Sequence, residues 1–148
     1  MAIHAHSRAG VSVAGSRVLV MGAGAVGLLC AAVSKAQGAR AVVVADVQRD
    51  RLDFALANGF ADAAVEVPLR KRGAEDERMT EAEWKGVAAE KMADARRVAE
   101  MAGQMVVGGE KLGEVDLCFE GTGVESSLQT AIYVRFFFFP RSQLFLFL

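Results

Sequence analysis

The chain has 148 residues, of which 53% are hydrophobic, and a formal net charge of -1. This length and composition suit one ordinary domain with a core of its own, and the balanced charge argues against a nucleic-acid partner. Two cysteines are too few for a disulfide framework, so we expect a reducing, cytoplasmic setting. We also expect no secretory signal, because residues 1–10 contain His4, His6 and Arg8 and no apolar segment.

From residue 17 onwards, short apolar runs alternate with helical patterns. Residues 1–16 are interpreted as the end of a helix followed by a turn at Gly10 and Gly15. The predicted strands are 17–21, 41–46, 63–67 and 115–120, and the predicted helices are 25–37, 49–58, 81–105 and 124–134. Because parallel strands need crossover connections, this alternation predicts an α/β fold with a parallel sheet and flanking helices.

Two loops and one of the helices carry no predicted chemistry. Residues 69–85 are highly charged and are interpreted as a solvated loop, and residues 106–114 as a glycine-rich loop. The helix at 81–105 carries an apolar stripe that we interpret as core packing rather than a cofactor site. Its members are Trp84, Val87, Ala88, Met92, Ala95, Val98, Ala99 and Met101 or Ala102.

The last residues, 135–148, do not fit the alternation. They contain two short apolar bursts, Phe136–Phe139 and Leu144–Leu148, separated by Pro140 and Arg141. A membrane span needs about 20 apolar residues, so these bursts are too short for one. We therefore expect an aberrant apolar tail that forms no stable strand of the sheet and promotes aggregation.

The strongest motif is the glycine turn, Gly22-Ala23-Gly24-Ala25-Val26-Gly27, between the first strand and the first helix. Gly22 lets the chain turn sharply, Gly24 leaves room for a pyrophosphate, and Gly27 lets the helix pack closely. The amide N–H groups at the start of the helix, including Ala25 and Val26, would face the phosphates. The alternative is a glycine-rich turn that binds no ligand.

Asp46 ends the second predicted strand, about 20 residues after the motif. A carboxylate there accepts hydrogen bonds from ribose hydroxyls and repels a 2′-phosphate, which favours NAD(H) over NADP(H). The alternative is an Asp that caps a helix or forms a turn. Arg51 could pack near the adenine or ribose, or could equally be a surface residue.

Thr122 follows the fourth predicted strand within the segment 120–123, EGTG, and offers a hydroxyl where a cofactor would lie. The alternative is a tight turn in which Thr122 caps the next helix. Cys30 and Cys118 are interpreted as small buried hydrophobes. His4 and His6 are interpreted as surface or packing residues, since neither has a partner at metal-ligand spacing.

Four segments together resemble fungal sorbitol, xylitol and arabinitol dehydrogenases, which are zinc-containing medium-chain dehydrogenases. They are His4–Gly10, SRVLVMGAGAVGLL at 16–29, VVVADVQRDRLDFALANGFADAAV at 42–65, and EGTG at 120–123. The resemblance covers roughly residues 4–133. It implies NAD-dependent oxidation of a polyol to a ketose, with a zinc-bound alcohol giving up the hydride.

The resemblance carries over by position to the glycine turn, Asp46 and Arg51, and more loosely to Thr122, because the family often has Cys where this chain has Gly121. No zinc ligand, catalytic residue or catalytic domain has a counterpart here, and the family pattern ends near Tyr133. We therefore predict a partial NAD-binding Rossmann domain of about four strands at 17–134, preceded by an inter-domain remnant at 1–16.

The expected partners are NAD(H) and, for the full-length family, a small polyol, while oligomerisation stays open. We expect this chain alone to be inactive. Two other hypotheses remain open: a dinucleotide-binding module without catalysis, and a medium-chain dehydrogenase for a different alcohol.

Overall fold

A parallel sheet of five strands organises the chain in the computed structural model, which describes residues 2–9, 12–68, 80–133 and 143–146. The strands of this sheet are β1 (Arg17–Met21), β2 (Ala41–Asp46), β3 (Ala63–Glu66), β6 (Leu117–Glu120) and β7 (Gln143–Leu146). The helices are α1 (Ala2–Ala9), α2 (Ala25–Ala36), α3 (Arg49–Ala57), α4 (Glu81–Gln104) and α5 (Glu125–Tyr133). A separate hairpin pairs β4 (Val106–Val107) with β5 (Glu110–Lys111).

The order of strands across the sheet is β3-β2-β1-β6-β7, and every neighbouring pair is parallel. From β1 to β3, each new strand is therefore added on one side of the sheet. The chain then crosses the sheet, and β6 pairs with the other side of β1. In such a sheet the order reverses between β1 and β6, and ligands bind outside the carboxyl ends of the strands at that point. The predicted α/β class with a parallel sheet and flanking helices is confirmed.

The core lies on both faces of the sheet, as the continuous apolar runs predict for buried parallel strands. On one face Val20, Val44 and Phe119 pack with side chains of α1, α2 and α3. On the other, Leu19 and Val43 pack with side chains of α4 and α5. The helices thus cover the two faces in two groups, which leaves the carboxyl ends of the strands accessible to loops.

Among the members of the α4 stripe whose side chains the structure describes, from Val87 onwards, the buried ones lie in the second half of the helix. Ala95, Val98, Ala99 and Ala102 are buried, whereas Met92 is 40% exposed. A helix of 24 residues is about 36 Å long, but the strands beneath it have at most six residues and span about 20 Å. The predicted core contact therefore holds for the part of α4 that lies over the sheet.

His6 of α1 is a packing residue, in agreement with the sequence interpretation. Its side chain is buried, its Nε2 lies 2.8 Å from the Ser34 hydroxyl, and its ring stacks on Phe119 with centroids 4.4 Å apart. His4, by contrast, is exposed. The contacts of His6 join α1 to α2 and β6, so α1 is part of the same core.

The start of β1 is tied to the loop before β6 by an ion pair. Two nitrogens of the Arg17 guanidinium donate to the Asp116 carboxylate at 3.0 and 3.1 Å. Burial raises the pKa of Asp116, but the hydrogen bonds and charge of Arg17 outweigh it, so that this pKa lies below its ordinary value. The pair aligns β1 with β6, and the carboxyl ends of these two strands belong to the candidate site.

The segment 106–114 differs from the predicted loop because part of it forms the β4–β5 hairpin. Gly108 and Gly109 connect the two short strands with φ angles of 61° and 86°. Two consecutive residues with positive φ make the tight turn whose twist matches a hairpin. The composition predicted the turn but not the pairing on either side of it.

The prediction that residues 135–148 form no strand is wrong for residues 143–146. Those four residues form β7, which pairs in parallel with β6 from Leu117↔Gln143 to Glu120↔Leu146. An unpaired edge on β6 would leave backbone donors and acceptors open, and a neighbouring strand of high β propensity satisfies them. The rest of the tail, residues 69–79 of the loop predicted at 69–85, residue 134 and Gly10 of the predicted first turn lie outside the described residues. Residues 81–85 of that predicted loop form the beginning of α4 instead.

Within the described ranges, none of the helices combines the length and apolarity needed to cross a membrane.

Removing residues 143–148 should lower the thermal unfolding midpoint by about 5 °C or more, because the edge of β6 loses its four-residue partner. Removing only residues 147–148 is the matched control, because it leaves β7 whole. Circular dichroism melts of the two truncated chains beside the full chain would measure the difference. Equal midpoints for all three would show that β7 adds nothing to the sheet.

Candidate dinucleotide-binding site

The glycine turn joins β1 to α2 at the centre of the sheet. Gly22 has a φ of 99°, a conformation that side chains rarely adopt, and its N–H donates to the Ala45 carbonyl at 2.7 Å. Gly27 is buried in the first turn of α2, where an ideal Cβ would overlap the carbonyl oxygen of Gly22 and lie 3.4 Å from a methyl of Val20. The turn and the helix are therefore in direct backbone contact.

The beginning of α2 is open to an anion. Gly24 is its N-cap and has no side-chain capping bond, and no acidic residue lies in the first turn of this helix. An ideal Cβ on Gly24 would meet no atom within 4 Å, so the space beside it is free. Ala25 and Val26 follow at the helix start, where backbone N–H groups lack partners inside the helix. This geometry fits a pyrophosphate.

Asp46 at the end of β2 contacts the glycine turn directly. Its carboxylate is 7% exposed; Oδ2 accepts from the Ala23 N–H at 2.6 Å and Oδ1 accepts from the Gln48 N–H at 2.8 Å. The bond from Gln48 is the turn contact that the sequence offers as the alternative to ribose binding. Asp46 therefore supports two backbone segments at once, and its assignment to a ribose stays a prediction.

Arg51 lies beside this carboxylate on α3. Its Nη1 is 3.9 Å from Asp46 Oδ2, while the side chain is 51% exposed. At this distance the pair is loose and well solvated, so it adds little to stability. The side chain is free to turn towards a ligand near Asp46, which leaves its cofactor-binding role a prediction.

The end of β6 holds a second buried carboxylate, Glu120, which is 1% exposed. Its Oε1 accepts from both the N–H and the hydroxyl of Thr122, the N–H at 2.8 Å, and its Oε2 accepts from the Gly123 N–H at 3.4 Å. The Thr122 hydroxyl also accepts from the Val124 N–H at 3.0 Å. The tight-turn alternative for Thr122 thus describes its hydrogen bonds, and contact with a cofactor stays a prediction.

Sequence reasoning selected Thr122 and missed Glu120 as a residue that shapes the site. The available signal was its position: an acidic residue closes the apolar strand β6 just as Asp46 closes β2. These two strand ends lie on either side of β1. Asp46 bonds to the glycine turn directly, whereas Glu120 bonds to Thr122, which lies against Gly22. An acidic residue at the end of an apolar strand in a chain with this motif is therefore a sequence pattern that indicates a residue of the site.

The three loops at the carboxyl ends of β2, β1 and β6 form one continuous site. The Gly121 N–H donates to the Met21 carbonyl at 3.0 Å, and a Cβ on Gly22 would come 2.8 Å from Cγ2 of Thr122. With the bonds from Gly22 and Ala23 to the end of β2, these contacts bring all the predicted cofactor-binding positions to one edge. The arrangement offers a ligand backbone donors, a free space beside Gly24 and the Asp46 carboxylate, while the Glu120 carboxylate is enclosed beneath its own loop.

The cysteines take no part in this site. Both are buried, and burial raises the pKa of each thiol, that of Cys118 to about 12 with a further contribution from the Glu120 charge. The interpretation of both as buried hydrophobes is confirmed. Across the described ranges, no three His, Cys, Asp or Glu side chains are grouped so as to hold a metal ion, so these residues do not fit a zinc site.

Comparison with known proteins finds one matching family model and relatives that are named as reductases and dehydrogenases. A family model described as FAD binding domain matches residues 17–129. D-xylulose reductase A of Aspergillus niger is 32% identical over 135 residues, which are 90% of this chain and 30% of that protein. Sorbitol dehydrogenase of Bombyx mori is 42% identical over 79 residues, or 53% of this chain and 21% of that protein.

Among solved structures, L-idonate 5-dehydrogenase of Escherichia coli K-12 superposes with a TM-score of 0.51 at 29% identity, covering 87% of this chain and 27% of that one. The chain thus spans less than a third of the length of these relatives. The glycine fingerprint occurs in both FAD- and NAD-binding folds, so a family model described as FAD binding domain is consistent with the parallel sheet and glycine turn of this chain. The chain belongs to the FAD binding domain family, and its homologues and structural neighbours support its place among the zinc-type medium-chain dehydrogenases.

Proposed function

We propose that this chain binds NAD(H) and is the cofactor-binding part of an oxidoreductase that converts a polyol of the sorbitol, xylitol and arabinitol class to a ketose. The observation that carries the proposal is the glycine turn, whose Ala23 N–H is held by Asp46 at the point where the strand order reverses. The resemblance to xylulose reductase and sorbitol dehydrogenase supplies the substrate class.

Bound NAD+ would supply a hydride acceptor. The residues of this chain would position it: the open start of α2 would receive the pyrophosphate, and Asp46 would accept from the adenosine ribose. Asp46 already accepts two backbone N–H groups, so it is held in place before any cofactor arrives. Arg51 is near enough to contact the same nucleotide. Oxidation of the polyol is proposed for the longer protein, not for these residues alone.

The family-model match favours FAD as a second candidate ligand. NAD and FAD have the same ADP half, so the glycine turn and Asp46 would serve either one. The difference lies in the second nucleotide, on the β6 side of the site. Titrating the chain with NAD+, FAD and ADP by calorimetry would separate the candidates. Binding of ADP but of neither dinucleotide would contradict both of them.

The proposed ribose contact predicts a preference for NAD+ over NADP+ of about tenfold or more, because the buried carboxylate of Asp46 repels a 2′-phosphate. Asp46→Asn removes the charge and also replaces one of the two oxygens that accept backbone N–H groups, so it should narrow the preference for NAD+ over NADP+, and circular dichroism checks that the fold is kept. Asp53→Asn is the matched control, because this substitution removes the same charge from the exposed face of α3. Equal affinities of the unmodified chain for both nucleotides, measured by calorimetry, would refute the assignment.

A further inference from the structure

Glu120 is a buried carboxylate that accepts hydrogen bonds from the turn that follows β6. Its partners, Thr122 and Gly123, are its near neighbours in the chain, and within the part of the chain that the structure describes it forms no ion pair. Taking a carboxylate out of water is costly unless hydrogen bonds replace the lost hydration. The bonds from Thr122 and Gly123 do this, and in doing so they set the conformation of the loop between β6 and α5.

That loop lies directly against the glycine turn. The Thr122 hydroxyl donates to Glu120 and accepts from Val124, so its side chain has a single orientation. In that orientation its methyl group occupies the space that a side chain on Gly22 would need. Glu120 therefore controls, through Thr122, how closely the β6 loop approaches the turn.

The position of this loop decides which part of a dinucleotide it would face. β6 and β2 are on opposite sides of β1, and Asp46 lies on the β2 side. In a fold of this type each half of the sheet binds one mononucleotide. Because the adenosine half is assigned to the β2 side, the loop held by Glu120 faces the second nucleotide.

We propose that Glu120 is a positioning residue for the second nucleotide of the bound dinucleotide, acting through Thr122 without touching the ligand. This inference rests on the proposed dinucleotide-binding function and deepens it. At 1% exposure the carboxylate has no surface to offer a ligand, so its effect must pass through the loop. Its loss should weaken binding of the whole dinucleotide while sparing the ADP half.

The test compares NAD+ with ADP as calorimetric probes. Glu120→Met has a similar length but no acceptor, so it should weaken NAD+ binding about tenfold or more and change ADP binding less than about twofold. Glu120→Gln keeps an oxygen acceptor in the same place and should restore most of the NAD+ affinity. A general loss of structure would instead weaken both probes equally, and circular dichroism would detect it.

Thr122→Val keeps the methyl group against Gly22 but removes the hydroxyl, so it tests the same link if Glu120→Met does not fold. It should show the same selective loss for NAD+. Glu120→Met decides the inference if it folds, and Thr122→Val decides it otherwise. Unchanged NAD+ affinity in the deciding variant overturns this inference alone. An equal loss of affinity for NAD+ and ADP in a folded variant does the same. Failure of the unmodified chain to bind NAD+ more tightly than ADP overturns the proposed function and this inference together.

Discussion

Replacing Gly27 with alanine should destabilise the fold by about 3 kcal/mol or more, at the upper end of the effects of overpacking. The added Cβ would overlap the Gly22 carbonyl and approach Val20. Gly22 is held in turn by its own bond to Ala45 at the end of β2. Since backbone cannot move aside as a flexible side chain does, α2 would have to separate from the sheet.

Urea unfolding monitored by circular dichroism would measure this loss. Gly86→Ala is the matched control, because Gly86 lies in α4 with no atom within 4 Å of its ideal Cβ. There the same substitution should stabilise the helix by about 0.5–1 kcal/mol, since alanine has the higher helix propensity. An unfolding midpoint for Gly27→Ala as high as that of the unmodified chain would show that the contact between α2 and the turn is looser than described.

Replacing Gly24 with valine should affect binding rather than stability: the fold should be retained, and NAD+ binding should weaken about a hundredfold or more. The space beside Gly24 is open, so the new side chain meets no protein atom within 4 Å of its Cβ. The same space is where the pyrophosphate would approach the start of α2. A branched side chain there would exclude the phosphates from the backbone N–H groups.

Calorimetry with NAD+ and circular dichroism on the same sample would measure both parts of this result. Gly24→Ala adds only the Cβ and should weaken binding less than Gly24→Val, which gives a graded pair at one position. A folded Gly24→Val chain with the NAD+ affinity of the unmodified chain would show that this turn is not the phosphate site. The two glycines thus separate stability from binding within a single motif.

The pattern of residues along the chain determined the main elements and the position of the glycine turn. Continuous apolar runs such as residues 41–45 are typical of parallel strands buried on both faces, and β2 is buried throughout. The turn could be located because the need for glycine at these positions is local. The positive φ of Gly22 and the lack of room for a side chain at Gly27 both follow from the adjoining strand and helix. These features depend on neighbours a few residues away, which the sequence displays directly.

Contacts between distant parts of the chain were decided only by the tertiary structure. Asp46 was selected for a ribose, but its bond to Ala23 appears only when β2 lies beside β1. The strand at Gln143–Leu146 was missed because its partner, β6, is more than twenty residues away and its own composition resembles an aggregating tail. The position of Glu120 at the end of β6 was visible in the sequence, but the approach of its loop to Gly22, on which its importance depends, appears only in the folded chain. Propensity and periodicity describe local segments, whereas pairing and burial arise from segments that only folding brings together.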